Sequence, residues 1–448
     1  MSYLAAQIDA VEAATPMGVT GHVQAISGLT IEASDLPLPL GAMCLIKSGG
    51  GKTCTAEVIG FQSHRTLLMA LTPMTGVSRG DAVVNIASSA RVWCSPKLLG
   101  RVLNGLGQPM DGKGPLPTSE ARAIDGPSVA PLSRENIRQP IATGVRAIDG
   151  LLTCGLGQRM GIFSGPGVGK SMLVSSIAKN TSADVSVVAL IGERGREVQE
   201  FLDKSLGPDG LEHCVVIAST GDDAPLLRVR AAKVATTIAE YFRDQGKHVL
   251  LLMDSLTRMC HAQRQIGLAA KEPPAQRGYP PSVFALLPEV LERAGRTPTG
   301  SITGFYTVLV EGDDFNEPVA DAVKGITDGQ LWLSRALANK GHFPAIDVLQ
   351  SISRVREEVV DELHVRRARW ILSLLATYGE IEDLVNLGAY CPGVNIDNDL
   401  AVQSRPKIVQ FLRQNSSEAV AFQKTERQLA ELVAWIDQIE RKLRGKQR

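Results

Sequence analysis

The sequence SGPGVGKS, from Ser164 to Ser171, decides the fold of the central part of the chain. It matches the pattern G-x-x-x-x-G-K-[ST], follows the apolar run RMGIFS and precedes the helix-forming run SMLVSSIAKN. Glycines in such a loop let backbone N–H groups surround phosphates at the positive end of the next helix. We therefore expect a nucleotide site in this loop, built from Gly165, Pro166, Gly167, Val168, Gly169, Lys170, Ser171 and Met172.

Two of these side chains have specific expected roles. Lys170 places a positive charge on the phosphates, and the Ser171 hydroxyl is a ligand for Mg²⁺. Hydrolysis also needs an acid near the metal. The apolar run VLLLM ends just before Asp254, which predicts a carboxylate at the C-terminal edge of a buried strand, where α/β sheets bind ligands. Asp254 is thus a predicted metal-site acid, and the alternative is an N-cap for the helix that follows it.

The stretch VSVVALIGERGREVQEF predicts a strand that runs into a helix, with Glu193, Arg194 and Glu197 at the junction. A carboxylate beside the phosphate loop is suited to orient a water molecule toward the γ-phosphate. We take Glu193 as the candidate for that role and Glu197 as a further candidate metal ligand. The alternative is a solvated group of charges at a helix start.

Apolar runs alternate with helical patterns from about residue 141, which is typical of a parallel sheet covered by helices. The fold class predicted is α/β with three parts: a small β-barrel at 19–90 (a sandwich is the alternative), a phosphate-loop domain at 91–360 with an irregular connector at its start, and a helical domain at 361–448. Residues 1–18 are predicted to form a partner-binding helix. The strands predicted in the central domain are Gln158–Ser164, Val185–Gly192, His213–Thr220, His248–Ser255, Ile302–Val310 and Gln330–Ser334.

Composition excludes several classes of protein. The chain has 448 residues, with 47 Lys plus Arg against 47 Asp plus Glu, and this balance argues against nucleic acid as a partner. The seven cysteines never occur as C-x-x-C, which argues against a zinc knuckle and favours reduced thiols. The sequence shows no secretory signal and no run of about 18 apolar residues, so we expect a cytoplasmic protein.

Several motifs occur in the order found in the catalytic subunits of rotary ATP synthases: SGPGVGKS, GERGREV, LLLMDSLTR, RGYPPSVFALLPEVLERAG and GHFPAIDVLQSISR. The chain resembles still more closely the ATPases of type III protein export, through LLGRVLNGLGQPMDGKGPL, EPVADAVKGITDGQLWLSRALANKGHFPAIDV and EIEDLVNLGAY. The resemblance covers about residues 19–415. It implies a RecA-like central domain and Mg²⁺-dependent hydrolysis of ATP.

The resemblance also implies roles for single residues. Glu193 matches the glutamate that activates water, and Arg194 matches a neighbour that pairs with a carboxylate or with the γ-phosphate. Asp254 matches the acid at the strand end, and Arg258 an arginine near the phosphates. Phe343 matches the aromatic residue that packs on adenine, where many relatives have Tyr, and its ring face preserves stacking.

Arg354, in SISRV, matches the arginine finger that one subunit gives to the next. A guanidinium meets two oxygens of a transferring phosphoryl group, and a finger raises the rate about 10³-fold or more. The alternative for Arg354 is a surface ion pair. Because the chain carries both Glu193 and Arg354, we expect a homohexamer with sites between subunits, although a mixed ring remains compatible with this pairing.

The resemblance further implies partners. We expect a stator protein on the N-terminal helix, with the export gate, chaperones and cargo at the C-terminal domain and peripheral contact with the inner membrane. The basic tail from Arg441 to Arg448 is either a solvated end or a contact for acidic lipid. The alternatives are an injectisome ATPase, a catalytic subunit of a rotary synthase, a hexameric RNA helicase and a ring subunit that binds nucleotide without hydrolysis. The sequences of the motifs, taken together, favour flagellar export over injectisome use.

Overall fold

The structure is a computed structural model that describes residues 19–49, 51–117, 120–310, 317–416 and 418–446. The helix predicted at 1–18 lies outside these residues, as does the end of the basic tail. The strands are β1 Thr20–Ser27, β2 Thr30–Ser34, β3 Met43–Lys47, β4 Thr53–Gln62, β5 Arg65–Ala70, β6 Ala82–Ala87, β7 Arg91–Cys94, β8 Arg101–Leu103, β9 Glu120–Ala123, β10 Pro140–Ile141, β11 Cys154–Gly155, β12 Arg159–Ser164, β13 Val185–Glu193, β14 Cys214–Thr220, β15 His248–Asp254, β16 Gly295–Arg296, β17 Ser301–Leu309, β18 Gly329–Leu333 and β19 Ile352–Ser353.

The α-helices are α1 Arg146–Leu151, α2 Lys170–Asn180, α3 Gly195–Glu200, α4 Gly207–Leu211, α5 Pro225–Asp244, α6 Leu256–Ala269, α7 Pro281–Leu291, α8 Pro318–Ile326, α9 Arg335–Asn339, α10 Arg356–Val359, α11 Glu362–Asn386, α12 Ile396–Leu412 and α13 Phe422–Lys446. A π-helical turn, Phe201–Leu206, joins α3 to α4. In the part of the chain that the structure covers, no helix combines the length and the apolar character needed to cross a bilayer.

The first six strands close a barrel in the order β1-β2-β5-β4-β3-β6, with β1 paired to β6. Alternation of apolar and polar residues along these strands turns one face of each inward. The interior is filled by a compact group of aliphatic side chains, among them Ile31, Ile46, Leu68 and Val83. The expected barrel is therefore present, and the sandwich alternative is wrong.

The central sheet has the order β19-β18-β12-β17-β15-β13-β14-β8, with β16 paired to β17 outside this path. The strands from β18 to β8 in this order run parallel, while β19 and β16 are antiparallel. All six predicted strands are present, with ends within one residue of the prediction. Because these strands are covered on both faces by helices, they are apolar along almost their whole length.

The connector predicted as irregular contains short strands, because its many Gly and Pro residues obscure them in the sequence. β7 pairs with β9, and β8 joins the edge of the central sheet beside β14. The side chain of Arg293 fastens this segment to the domain: it is 2% exposed, forms an ion pair with Glu240, and its Nη1 donates to the Ile124 carbonyl oxygen at 2.7 Å.

The C-terminal part is helical, as expected. α11, α12 and α13 pack on one another and on α1, and the apolar side of α13 (Leu429, Leu432 and Ile436) is buried in the same core as the outer face of the sheet. The last helix, α13, begins at Phe422.

Candidate active site

The phosphate loop joins the end of β12 at Ser164 to the start of α2 at Lys170. Gly167 and Gly169 have φ values of 77° and 93°, which side-chain-bearing residues rarely adopt. Gly169 is the N-cap of α2, and among the residues that the structure describes no side chain caps the first N–H groups of this helix, which leaves them available to an anion. Val168 is 1% exposed, and its side chain packs in the hydrophobic core.

Three charged groups meet beside this loop. The Lys170 Nζ atom contacts Asp254 Oδ1 and lies 3.6 Å from Glu193 Oε1, and all three side chains are almost fully buried. Glu193 and Asp254 end the paired parallel strands β13 and β15, and Lys170 begins α2, after the loop that leaves the C-terminal end of β12. The structure thus brings together the three residues on which hydrolysis was predicted to depend.

The structure separates the two roles considered for Asp254. The N-cap of α6 is Ser255, whose Oγ accepts from the Arg258 N–H at 3.3 Å. Asp254 instead accepts the hydroxyl of Thr307 at 2.7 Å and contacts Lys170. The capping role is therefore wrong for Asp254, because the next residue performs it. Thr307 was missed, although a polar residue in the apolar run SITGFYTVLV was an available signal.

Burial raises the pKa of Glu193 to about 7, with the negative charges of Asp254 and Glu197 adding to the rise and Lys170 opposing it. A carboxylate with a pKa close to neutrality is suited to accept a proton from water at physiological pH. Gly192 has a φ of 68°, and a Cβ atom there would lie 2.9 Å from Cβ of Arg258, so the turn before Glu193 requires glycine.

Arg194 and Glu197 lie at the rim of this group. Arg194 is the N-cap residue of α3 with an 83% exposed side chain, and its Nη1 atom is 3.4 Å from Glu197 Oε1. Arg194 therefore has the carboxylate partner that the resemblance allowed. Glu197 is half-exposed and lines the same cleft as Ser171, Glu193 and Asp254, which has a volume of about 690 Å³.

The oxygens in this cleft suit magnesium. The residues predicted to hold Mg²⁺, Ser171, Asp254 and Glu197, all line it and offer one hydroxyl and two carboxylates. Mg²⁺ prefers oxygen ligands and is commonly held by one or two protein groups together with phosphate oxygens. The donor set therefore fits a magnesium–nucleotide complex.

Arg258 follows on α6 and packs over Gly192, beside Glu193. Its Nε atom is buried and has no hydrogen-bond partner within the described part of the chain. Burial of Arg228 lowers the pKa of that residue, and the positive charge of the nearby Arg258 lowers it further. Two neighbouring arginines repel each other, so binding of an anion beside them is favourable. This is compatible with the expected place of Arg258 near the phosphates.

A second pocket, of about 370 Å³, opens on the other side of the phosphate loop. The Phe343 ring is 40% exposed and packs so closely on Gly169 that a Cβ atom there would lie 3.3 Å from the ring. Met172 lines this pocket as well. Sequence reasoning missed its far wall, which comes from a segment after α12 more than 240 residues along the chain, without any local signal. The lining residues are Val145, Gly169, Met172, Leu173, Ser176, Phe343, Pro344, Gln414, Asn415 and Ser416.

Arg354 lies apart from both pockets. Its N–H donates to the Asp328 carbonyl oxygen, and the Asp328 N–H in turn donates to the carbonyl oxygen of Arg159, at the start of β12. The phosphate loop begins five residues later, at the other end of β12, about 16 Å away along the strand. Arg354 is exposed and forms no ion pair within the described ranges, so the surface ion pair considered for it is absent there.

Three family models match the chain in turn. The beta-barrel domain of the ATP synthase alpha/beta family matches residues 23–86, and the nucleotide-binding domain of that family matches residues 144–353. The C-terminal domain of the type III secretion ATPase EscN matches residues 360–431. The phosphate loop, the charged cluster and Phe343 all lie within the second of these matches.

Curated relatives are similar over nearly the whole chain. The flagellum-specific ATP synthase of Pseudomonas aeruginosa is 48% identical over 93% of this chain and 93% of its own length, and that of Treponema pallidum is 50% identical over 92% of each. The type 3 secretion system ATPase of Sinorhizobium fredii is 48% identical over 91% of this chain and 90% of its own.

A solved structure of the assembled ATPase EscN, from the type III secretion system of enteropathogenic E. coli, aligns with a TM-score of 0.87 at 43% identity. The alignment covers 92% of this chain and all of that one. Identity at this level over full-length relatives, together with the matched domains, leaves one assignment. The chain belongs to the family of flagellum-specific ATP synthases and type III secretion ATPases, whose barrel and nucleotide-binding domains are those of the ATP synthase alpha/beta family.

Proposed function

We propose that the protein hydrolyses ATP in a Mg²⁺-dependent reaction that energises type III export of flagellar proteins. The observation that carries the hydrolytic part is the contact of Lys170 with Asp254 and its approach to Glu193, next to a phosphate loop whose N–H groups are uncapped. Membership of a family of export ATPases supports the export part.

Each group has a defined task in this reaction. Lys170 and the backbone of the loop bind the phosphates, and Arg258 adds a positive charge as charge spreads over the transferring group. Glu193 accepts a hydrogen bond from the attacking water and orients it. Ser171 and Asp254 would hold Mg²⁺, which would neutralise phosphate charge when bound. Phe343 stacks on the adenine.

The site is completed by a second subunit. Arg354 is exposed at the edge of the sheet opposite to the phosphate loop of its own chain, so its guanidinium is suited to a nucleotide held by a neighbour. A ring of identical chains, which we propose to be a hexamer, would then have a complete site at every interface. The similar EscN structure is that of an assembled ATPase, which supports assembly of this chain as well.

We further propose partners at both ends. A stator protein binds the N-terminal segment 1–18, and the export gate, chaperones and cargo meet the C-terminal helical domain at the inner membrane. A related EscN structure is in complex with its central stalk EscO, so a stalk-type partner is also proposed here. The protein acts in the cytoplasm at the export apparatus and binds no nucleic acid.

Injectisome secretion is the second candidate. It is supported by the 48% identity to the Sinorhizobium fredii secretion ATPase, which is as high as the identity to the Pseudomonas aeruginosa flagellar relative. Deletion of the gene separates the two candidates. Loss of filaments and swimming with intact host-directed secretion supports flagellar export, and the reverse supports the injectisome.

Hydrolysis is tested with the purified protein and Mg-ATP. Phosphate release should depend on Mg²⁺ and fall to background in Lys170→Ala, and release that persists in this variant would contradict the assigned site. Because Arg354 is expected to act between subunits, specific activity should rise with protein concentration as rings assemble. A flat value over a wide dilution series would oppose shared sites.

A further inference from the structure

The far wall of the pocket beside Phe343 is bonded by the amide side chain of Gln414, next to the Arg146 guanidinium, which donates to the Phe411 and Arg413 carbonyl oxygens. Gln414 is 8% exposed and lies directly after α12, where the chain leaves the C-terminal helices to line the pocket. Its backbone N–H donates to the carbonyl oxygen of Phe343 at 2.9 Å. The residue expected to stack on the base is thus linked to the C-terminal domain through Gln414.

Both amide hydrogens of Gln414 are used within the protein. Nε2 donates to the Gly144 carbonyl oxygen at 2.6 Å and to that of Glu418 at 2.7 Å, and Oε1 accepts from the Arg146 N–H at 2.9 Å. These bonds join the loop before α1 to the segment before α13. An amide has two donor hydrogens, so Gln414 has none left for a ligand.

The loop that receives these bonds is itself fixed. The buried carboxylate of Asp149 accepts from the N–H and hydroxyl of Thr143, at 2.9 and 2.7 Å, and from the Gly144 N–H at 3.0 Å. Gly144 has a φ of 75°, and a Cβ atom there would lie 2.4 Å from Cβ of Asn180. This close approach anchors the loop on α2, the helix that begins at the phosphate loop. Gln414 therefore takes its position from a rigid frame.

We propose that Gln414 is a positioning residue for the nucleoside part of the substrate: it holds Asn415 and Ser416 opposite Phe343 and so sets the width of the base pocket. The inference rests on the proposed function, since it takes this pocket as the base site. Gln414 positions the wall without reading the base, because its hydrogens are already engaged. Loss of Gln414 therefore weakens the binding of adenine and guanine nucleotides equally and leaves the binding of the triphosphate part unaffected.

The test uses Gln414→Leu, which keeps the size of the side chain and removes all three hydrogen bonds. Affinity is measured for ATP, GTP and inorganic tripolyphosphate, with kcat and KM for ATP. Loss of these bonds at the wall predicts a rise of about tenfold in the Kd of both nucleotides and in KM. The affinity for tripolyphosphate and kcat should stay within about twofold of the unchanged protein. The matched control is Gln403→Leu, an exposed glutamine on α12, which should change none of these values.

A second variant guards against misfolding. Gln414→Glu keeps the acceptor for the Arg146 N–H and loses the donors to the two carbonyl oxygens, so it should show the same pattern. If tripolyphosphate binding weakened as much as nucleotide binding, or if the ratio of ATP to GTP affinity changed in either variant, the positioning role would be overturned. Tripolyphosphate binding that survives Lys170→Ala would instead contradict the proposed function, so the two failures are distinguishable.

Discussion

The ammonium group of Lys170 contacts the carboxylate of Asp254 at the end of β15, and the same carboxylate accepts the hydroxyl of Thr307. Both residues are predicted to bind Mg-ATP, Lys170 through phosphate and Asp254 through the metal. In the structure each serves as the other's partner. Binding of substrate has to replace this ion pair with new contacts for both charges, and this exchange makes the pair a direct target for substitution.

Replacing Asp254 with Asn should separate binding from hydrolysis. The asparagine oxygen still accepts from Thr307, but the buried Lys170 loses its nearer counter-charge and keeps only Glu193, 3.6 Å away. A buried positive charge with less compensation favours an added anion. We expect tighter ATP binding in EDTA and a loss of Mg²⁺-dependent phosphate release of about 100-fold or more. Isothermal titration and a phosphate assay measure both. Asp209→Asn, an exposed aspartate on α4, is the control, and weaker metal-free binding in Asp254→Asn would oppose this account.

The pH dependence of activity should follow Glu193. Its pKa is raised to about 7, and only the carboxylate form orients water, so kcat/KM should rise with pH up to about 7 and level off above it. A rate profile between pH 5 and 9 tests this. A profile that is flat through this range, in protein that remains folded, would rule out Glu193 as the group that limits the free enzyme.

The raised pKa of Glu193 affects stability as well, and stability should fall with rising pH where activity rises. A carboxyl group whose pKa is higher in the folded state takes up protons on folding, so its contribution to the free energy of unfolding declines as pH rises from its ordinary value toward about 7. Glu193→Gln removes this decline. Chemical unfolding at pH 5 and pH 8 should show a smaller loss in the variant than in the unchanged protein, whereas Glu212→Gln, at an exposed glutamate directly after α4, should behave like the unchanged protein.

Stacking by Phe343 predicts a graded series. Phe343→Tyr retains the ring face and should leave KM for ATP within about twofold, whereas Phe343→Ala should raise KM about tenfold. Gly169→Ala should be more severe, because its φ of 93° disfavours a side chain and its Cβ would lie 3.3 Å from the Phe343 ring. Steady-state kinetics decide the order, with the exposed Phe61→Ala on the barrel as control. A normal KM in Phe343→Ala would contradict the stacking role.

Stability should depend on the buried pair Arg293–Glu240. Removal of one partner leaves an uncompensated charge and also frees the Ile124 carbonyl oxygen that Arg293 binds. Arg293→Met should therefore lower the free energy of unfolding by about 3–5 kcal/mol. Arg444→Met, which breaks an exposed pair with Glu440 on α13, should cost less than about 1 kcal/mol. Similar losses in the two variants would show that burial does not determine how much an ion pair contributes to the free energy of unfolding.

Local patterns in the sequence predicted the strands of the sheet and the strand–loop–helix unit around Ser164–Ser171. Strands covered on both faces give unbroken apolar runs, and Asp254 and Glu193 stand where such runs end. The same patterns left the capping of α6 open, since Asp254 and Ser255 are both good caps and only the structure shows that Ser255 accepts the Arg258 N–H.

Long-range contacts were beyond the sequence. Gln414 meets Gly144 across 270 residues, and Thr307 reaches Asp254 from an adjacent strand. Nothing in the spacing of these residues indicates the pairing, because it follows from how the sheet and the C-terminal helices are stacked. The place of Arg354 at the opposite edge of the sheet likewise depends on the antiparallel direction of β19, which two residues are too few to reveal.

Mixing inactive chains tests the central claim, that one subunit supplies Glu193 and its neighbour Arg354. Glu193→Gln and Arg354→Ala should each lack activity alone. Combined in equal amounts under conditions that form rings, they should regain about one quarter of the unmutated activity, since one interface in four joins an intact Glu193 to an intact Arg354. Lys170→Ala mixed with Glu193→Gln should show no recovery, because both residues belong to the same half-site. Activity of the first mixture no higher than that of the second would contradict sites shared between subunits.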